Sequence, residues 1–93
     1  MIRFTNQLTD KERKEAKVLI ASCQAHDQTF REPYLSNMFN FDPNMPAFFL
    51  YYQEEELLGL LTVYADDEDV ELSILVHPNH RRKGIARALF KSF

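Results

Sequence analysis

Residues 70–93 hold a strand, a tight turn and the opening of a helix in immediate succession, and this segment constrains what the rest of the chain can become. Val70, Leu72, Ile74 and Val76 alternate with Glu71, Ser73, Leu75 and His77, the period of a strand that turns one face to a core. Pro78 cannot donate to a ladder and biases His77 toward extended geometry, so the strand ends there. Ala86, Leu89, Phe90 and Phe93 then recur at the spacing of one helical face, which predicts a helix beginning near Arg82 or Lys83. The first turn of such a helix holds main-chain N–H groups without partners and the positive end of the helix dipole, and both favour an anion. Gly84 has no side chain to keep a phosphate off the main chain, and Ala86 is almost as small. Arg81, Arg82 and Lys83 place positive charge where it opposes the dipole. That conflict costs about 0.3–1 kcal/mol for each exposed cation, and a bound anion would relieve it. The bland alternative is a solvated basic turn in which Gly84 only eases a tight connection.

Arg81-Arg82-Lys83-Gly84-Ile85-Ala86 resembles the acetyl-CoA-binding motif of the GNAT N-acetyltransferases, Gln/Arg-x-x-Gly-x-Gly/Ala. Ile74-Leu75-Val76-His77-Pro78 looks like the strand that feeds this motif in that family. The resemblance implies that the main chain from Arg81 to Ala86 holds the diphosphate of coenzyme A. It also implies that Ile74, Leu75 and Val76 pair with the pantetheine arm, which behaves as an added half-strand. Acetyl-CoA is then a co-substrate, and its acetyl group passes to the amine of a small-molecule or protein acceptor. Glu71, on the motif strand, is the candidate general base, against the alternative of an exposed carboxylate on a solvent face. In the family the segment of the first two helices helps form the acceptor site. Phe30, Arg31, Tyr34 and Asp42 are therefore candidates for contact with the acceptor, with aromatic packing or solvation as the alternative for each. His77 and His80 have the spacing of a metal pair, but Pro78 lies between them and no further ligand cluster follows, so no metal is expected. His80 is expected to help cap the helix.

The rest of the chain agrees with one small domain. Ninety-three residues suffice for a single core, and 45% apolar residues with eight Phe and four Tyr supply it. A net charge of −3 speaks against general nucleic-acid binding. The single cysteine, Cys23, cannot form an intrachain disulfide and fits a reducing compartment. No apolar run reaches the length of a membrane span, and Met1-Ile2-Arg3-Phe4 does not open a signal peptide, so a soluble cytoplasmic protein is expected.

In chain order, Ile2 and Phe4 alternate within a short edge strand. Thr9-Asp10-Lys11-Glu12 fits a capping box, so a helix begins at Asp10. Ala16, Leu19, Ile20 and Cys23 form its inner stripe, with Lys11, Glu12, Lys14, Glu15 and Lys17 outside. A second short helix is expected after Pro33, and a loop over 40–46. Ala47–Tyr52 is apolar on both faces, Glu54-Glu55-Glu56 reads as a turn, and Leu57–Ala65 as the partner strand, with Gly59 marking a bulge or a close backbone approach. Asp66–Asp69 is a solvated hairpin tip. The expected class is α/β of the α+β kind, β-α-α-β-β-β-α with a mostly antiparallel sheet, similar to the first half of the acetyltransferase fold.

The chain stops at Phe93, where the resembled family continues with a further strand, helix and strands. A truncated domain is expected, whose motif strand is an open edge that invites pairing with a second copy. Three functions remain distinct at this level. They are an acetyl-CoA-dependent N-acetyltransferase, a non-catalytic CoA- or phosphate-binding module completed by self-association, and a phosphate or nucleic-acid contact through Arg81, Arg82, Lys83 and Arg87.

Overall fold

Helix α1 (Asp10–Asp27) starts where the capping box places it. The Thr9 hydroxyl accepts a hydrogen bond from the Glu12 amide at 3.1 Å, and the Glu12 carboxylate accepts one from the Thr9 amide at 2.9 Å. Ala16, Leu19, Ile20 and Cys23 are buried along it, as their spacing requires. Glu12 departs from its expected outer position and is 6% exposed. The capping geometry folds its carboxylate back over the helix start, where the Arg3 guanidinium also donates to it. Burial alone would raise the Glu12 pKa, but the Thr9 amide and Arg3 outweigh it and hold the pKa below the ordinary 4.5. A depressed carboxylate pKa stabilises the fold above the unfolded value, and the contribution disappears as pH falls through the folded one. The Gln amide oxygen in Glu12→Gln can still accept from the Thr9 amide, so the substitution removes the charge toward Arg3 and the helix dipole and is expected to cost about 0.3–1 kcal/mol at neutral pH. In a pH series of melting curves, the gap to the parent chain closes below about pH 4.

The computed structural model describes residues 1–28, 35, 46–65 and 70–93. Strands β1 (Ile2–Thr5), β2 (Phe48–Gln53), β3 (Glu56–Ala65) and β4 (Val70–Val76) form one sheet in that order, every neighbour antiparallel. This is the mixed α+β arrangement expected. The second helix and the hairpin tip lie outside the described residues, apart from Leu35, which packs against the α1-side core. Alternate strand residues feed two clusters. Phe48, Leu50 and Leu60 meet Leu19 and Cys23 of α1, whereas Phe49, Leu61 and Val63 meet Ile85 and Leu89 of helix α2 (Ile85–Ser92). The two helices thus cover opposite faces. Each fully buried Leu or Phe contributes roughly 1.5–3 kcal/mol, which suits β2, where Phe48, Phe49 and Leu50 are all 4% exposed or less.

The β2–β3 connection is tighter than the sequence suggests, because Glu56 already belongs to β3. Glu54 and Glu55 carry the bend alone with φ of 51° and 68°, the left-handed pair of a type I′ turn. Just beyond, Tyr51 faces Gly59 and Tyr52 faces Leu57, leaving Leu58 as the extra residue of a bulge. Gly59 is the close approach anticipated: a Cβ there would lie 2.7 Å from Ile85 Cγ2 and 3.0 Å from Leu89 Cδ1. Because Gly59 pairs with Val76, this contact fixes α2 beside the end of β4.

Two expectations about the organising segment need correction. Only Val76 of the alternating face of β4 packs on the α2-side core; Val70 is 59% exposed, and Leu72 and Ile74 are 37% exposed. β4 is an edge strand, and α2 docks over Gly59, so only the Val76 end is covered. Helix α2 begins at Ile85, not near Arg82 or Lys83, and its buried face is Ile85 and Leu89 with Ala88 half-buried. Ala86, Phe90 and Phe93 are exposed, although the Phe93 ring meets Phe49 edge-on at 6.1 Å.

Candidate functional site

The end of β4, the turn after it and the first turn of α2 enclose a cleft of about 520 Å³. The turn is a single 3₁₀ turn over Pro78–His80. The His77 amide donates to the Leu58 carbonyl at 2.8 Å, which completes the β3–β4 pairing, and its Nδ1 accepts from the Asn79 amide at 3.1 Å. His77 is thus the capping imidazole. His80 does not cap α2 as expected: no side chain does. Its ring packs against His77 at 5.3 Å, and its Nδ1 is buried with no partner among the described residues.

The chain then passes through two left-handed residues, Arg82 at φ 66° and Gly84 at φ 82°. Gly84 is the N-cap of α2, and nothing lies within 4 Å of where its Cβ would be. The first bond of the helix runs from the Ala88 amide to the Gly84 carbonyl at 2.9 Å. The amides of Ile85, Ala86 and Arg87 therefore have no intrahelical acceptor and no side-chain cap, at the positive end of the dipole. A left-handed Arg costs about 1–2 kcal/mol, and strain of this kind gathers at functional sites.

Ile74, Leu75, Val76, Arg81, Arg82, Gly84, Ile85 and Ala86 all line the cleft, whereas Lys83 does not. Two further residues, Asp27 and Arg87, complete it. Arg87 was legible as a cation in the first helical turn, three residues beyond Gly84. Asp27 carried no signal, since it comes from the far end of α1. Its carboxylate binds Arg81 through two bonds of 2.8 Å, and Arg81 Nε donates to the Val76 carbonyl at 3.1 Å. The Arg81 bonds, helped by His26, hold the Asp27 pKa well below the carboxylate range, and Asp27 raises that of Arg81. Cys23 is buried with its Sγ 3.4 Å from the same carbonyl, and burial pushes its thiol pKa up, as befits packing. With Arg81 matched, Arg82 and Arg87 are the lining cations that enter no ion pair among the described residues.

Glu71 is not part of the cleft wall. It is exposed, pairs with Tyr64, and lies five residues before Val76, about 17 Å along the strand. The acceptor candidates Phe30, Arg31, Tyr34 and Asp42 lie outside the described residues. Among the described residues no group of His, Cys, Asp and Glu is arranged to hold a metal ion, and no helix is long and apolar enough to cross a membrane.

No curated protein matches the chain. The model of one family does, the acetyltransferase (GNAT) family, over residues 8–93. With the fold, the motif and nearly the whole length in agreement, the chain belongs to the GNAT acetyltransferase family.

Proposed function

We propose that the cleft is the acetyl-CoA site of an N-acetyltransferase acting on an amine. One observation carries this reading: the uncapped first turn of α2, opened by left-handed Gly84, stands beside the edge of β4 that no other described strand pairs. The free amides of Ile85, Ala86 and Arg87 suit a diphosphate, and the Arg82 and Arg87 side chains supply charge. The pantetheine arm has the backbone length of about four residues, so extended along β4 it spans about 13–15 Å. Laid along β4 from Val76, that length brings its thioester end level with Leu72, one residue short of Glu71. There the acceptor nitrogen attacks the thioester carbonyl carbon. The C–N bond forms, the C–S bond breaks, coenzyme A leaves as thiolate, and the amine gives up one proton. Glu71, next to Leu72 on β4, is the candidate to take that proton, a role worth roughly 10²–10⁴-fold.

A second reading, a CoA-binding module that pairs with another copy and transfers nothing, is favoured by the exposed Val70, Leu72 and Ile74 on an edge strand. One experiment separates them. Acetyl-CoA is expected to raise the melting temperature with concentration, because it binds the folded state alone. Thiol release with a panel of amines is then expected, and Glu71→Gln lowers its kcat by about 100-fold or more without changing acetyl-CoA affinity. Binding without thiol release supports the module. No thermal shift sinks both.

A further inference from the structure

We propose that Asp27 is a positioning residue for the cofactor arm: by clamping Arg81 it closes the Val76 carbonyl, and so sets the register in which an extended amide chain joins the edge of β4. This inference rests on the acetyl-CoA reading above. A carboxylate in the wall of an anion cleft opposes the ligand by charge, so its place there calls for another task. The Asp27 carboxylate meets both terminal nitrogens of Arg81 at 2.8 Å, a bidentate geometry that fixes the guanidinium plane. Held so, Arg81 turns Nε to the Val76 carbonyl at 3.1 Å, and Cys23 Sγ approaches the same oxygen at 3.4 Å.

That carbonyl lies on the edge of β4 that no other described strand pairs. The His77 amide donates to β3 at Leu58, and in an antiparallel ladder alternate residues face opposite sides. Leu75 therefore points its main chain at β3, while Val76 and Ile74 point theirs outward. With the Val76 oxygen already engaged, the groups open to an incoming amide are the Val76 N–H and both main-chain groups of Ile74. A ligand displaced toward the loop needs the Val76 oxygen and finds it closed. Arg81 acts as a strut whose charge is matched inside the protein, and the diphosphate is met by main-chain amides with Arg82 and Arg87.

The test compares coenzyme A with ADP, which carries the diphosphate but no pantetheine arm, by calorimetry on the whole chain. Asp27→Asn is expected to weaken coenzyme A about 10-fold and to leave ADP unchanged or slightly tighter. Arg81→Gln keeps a donor for the Val76 carbonyl without needing a carboxylate, so in that background Asp27→Asn has no further effect. An equal loss for both ligands marks a merely structural role and overturns the proposal. Tighter binding of both shows that Asp27 holds a phosphate-binding arginine away, and overturns it too, as does no change in either. A parent chain that binds neither ligand refutes the acetyl-CoA site itself and the proposal with it, whereas a parent chain that binds coenzyme A with an indifferent Asp27→Asn refutes the proposal alone.

Discussion

Gly84→Glu weakens acetyl-CoA binding about 100-fold or more while the chain remains folded. The left-handed φ of 82° gives any side chain at this position a strained backbone, at a cost of about 1–2 kcal/mol of stability. The Cβ itself meets nothing within 4 Å, so no clash adds to that. The larger effect is on the ligand. A carboxylate about 4 Å from a phosphate charge, at the effective dielectric of a protein surface, opposes it by up to about 4 kcal/mol, and 1.4 kcal/mol corresponds to tenfold. Gly84→Ala separates the two contributions. It carries the same backbone strain and loses the same stability, but it keeps far more affinity because it adds no charge. Isothermal titration with acetyl-CoA, beside melting curves for both variants, reads the difference. Equal affinities for the two variants would show that charge at this position does not face the ligand.

Gly59→Ala acts from the other side of the same helix and is expected to cost about 2 kcal/mol, within the usual range for overpacking. In a domain of this size that lowers the melting temperature by roughly 8–16 °C. The new methyl would sit 2.7 Å from Ile85 Cγ2, a branch held close to the helix backbone and unable to swing aside. Helix α2 must lift, and since Gly59 pairs with Val76 the cleft opens between α2 and the end of β4, so acetyl-CoA affinity falls with stability. Ile85→Ala removes the obstructing Cγ2. The double variant is therefore expected to be more stable than the sum of the two single losses by about 1 kcal/mol, the coupling of residues in direct contact. Strict additivity would mean that Gly59 matters for some other reason, such as the bulge at Leu58.

Features of local origin were legible in the sequence. The capping box starting α1, the inner stripe from Ala16 to Cys23, the antiparallel hairpins and the close approach at Gly59 each follow from a few neighbouring residues. The motif also brought its expected residues to one cleft, except Lys83, whose neighbours Arg82 and Gly84 are both left-handed. What escaped depended on distant partners. Whether Val70, Leu72 and Ile74 are covered is set by where α2 docks, which alternation within β4 does not encode. The buried face of α2 follows its contact with Gly59, and the later start at Ile85 follows from the two left-handed residues before it. Asp27 reaches Arg81 across 54 residues of chain, and only the packing of α1 on β4 reveals it. Glu12 looked external because its helical position is external; its own cap draws it inward.

The amide resonances of Ile85, Ala86 and Arg87, followed through a titration with acetyl-CoA, give the most direct check on the phosphate cradle. These three are expected to show the largest changes, with ADP reproducing them and Val76 responding only to the ligand that carries the arm. Saturable binding of acetyl-CoA that leaves all three in place would contradict the assignment of the diphosphate to the first turn of α2.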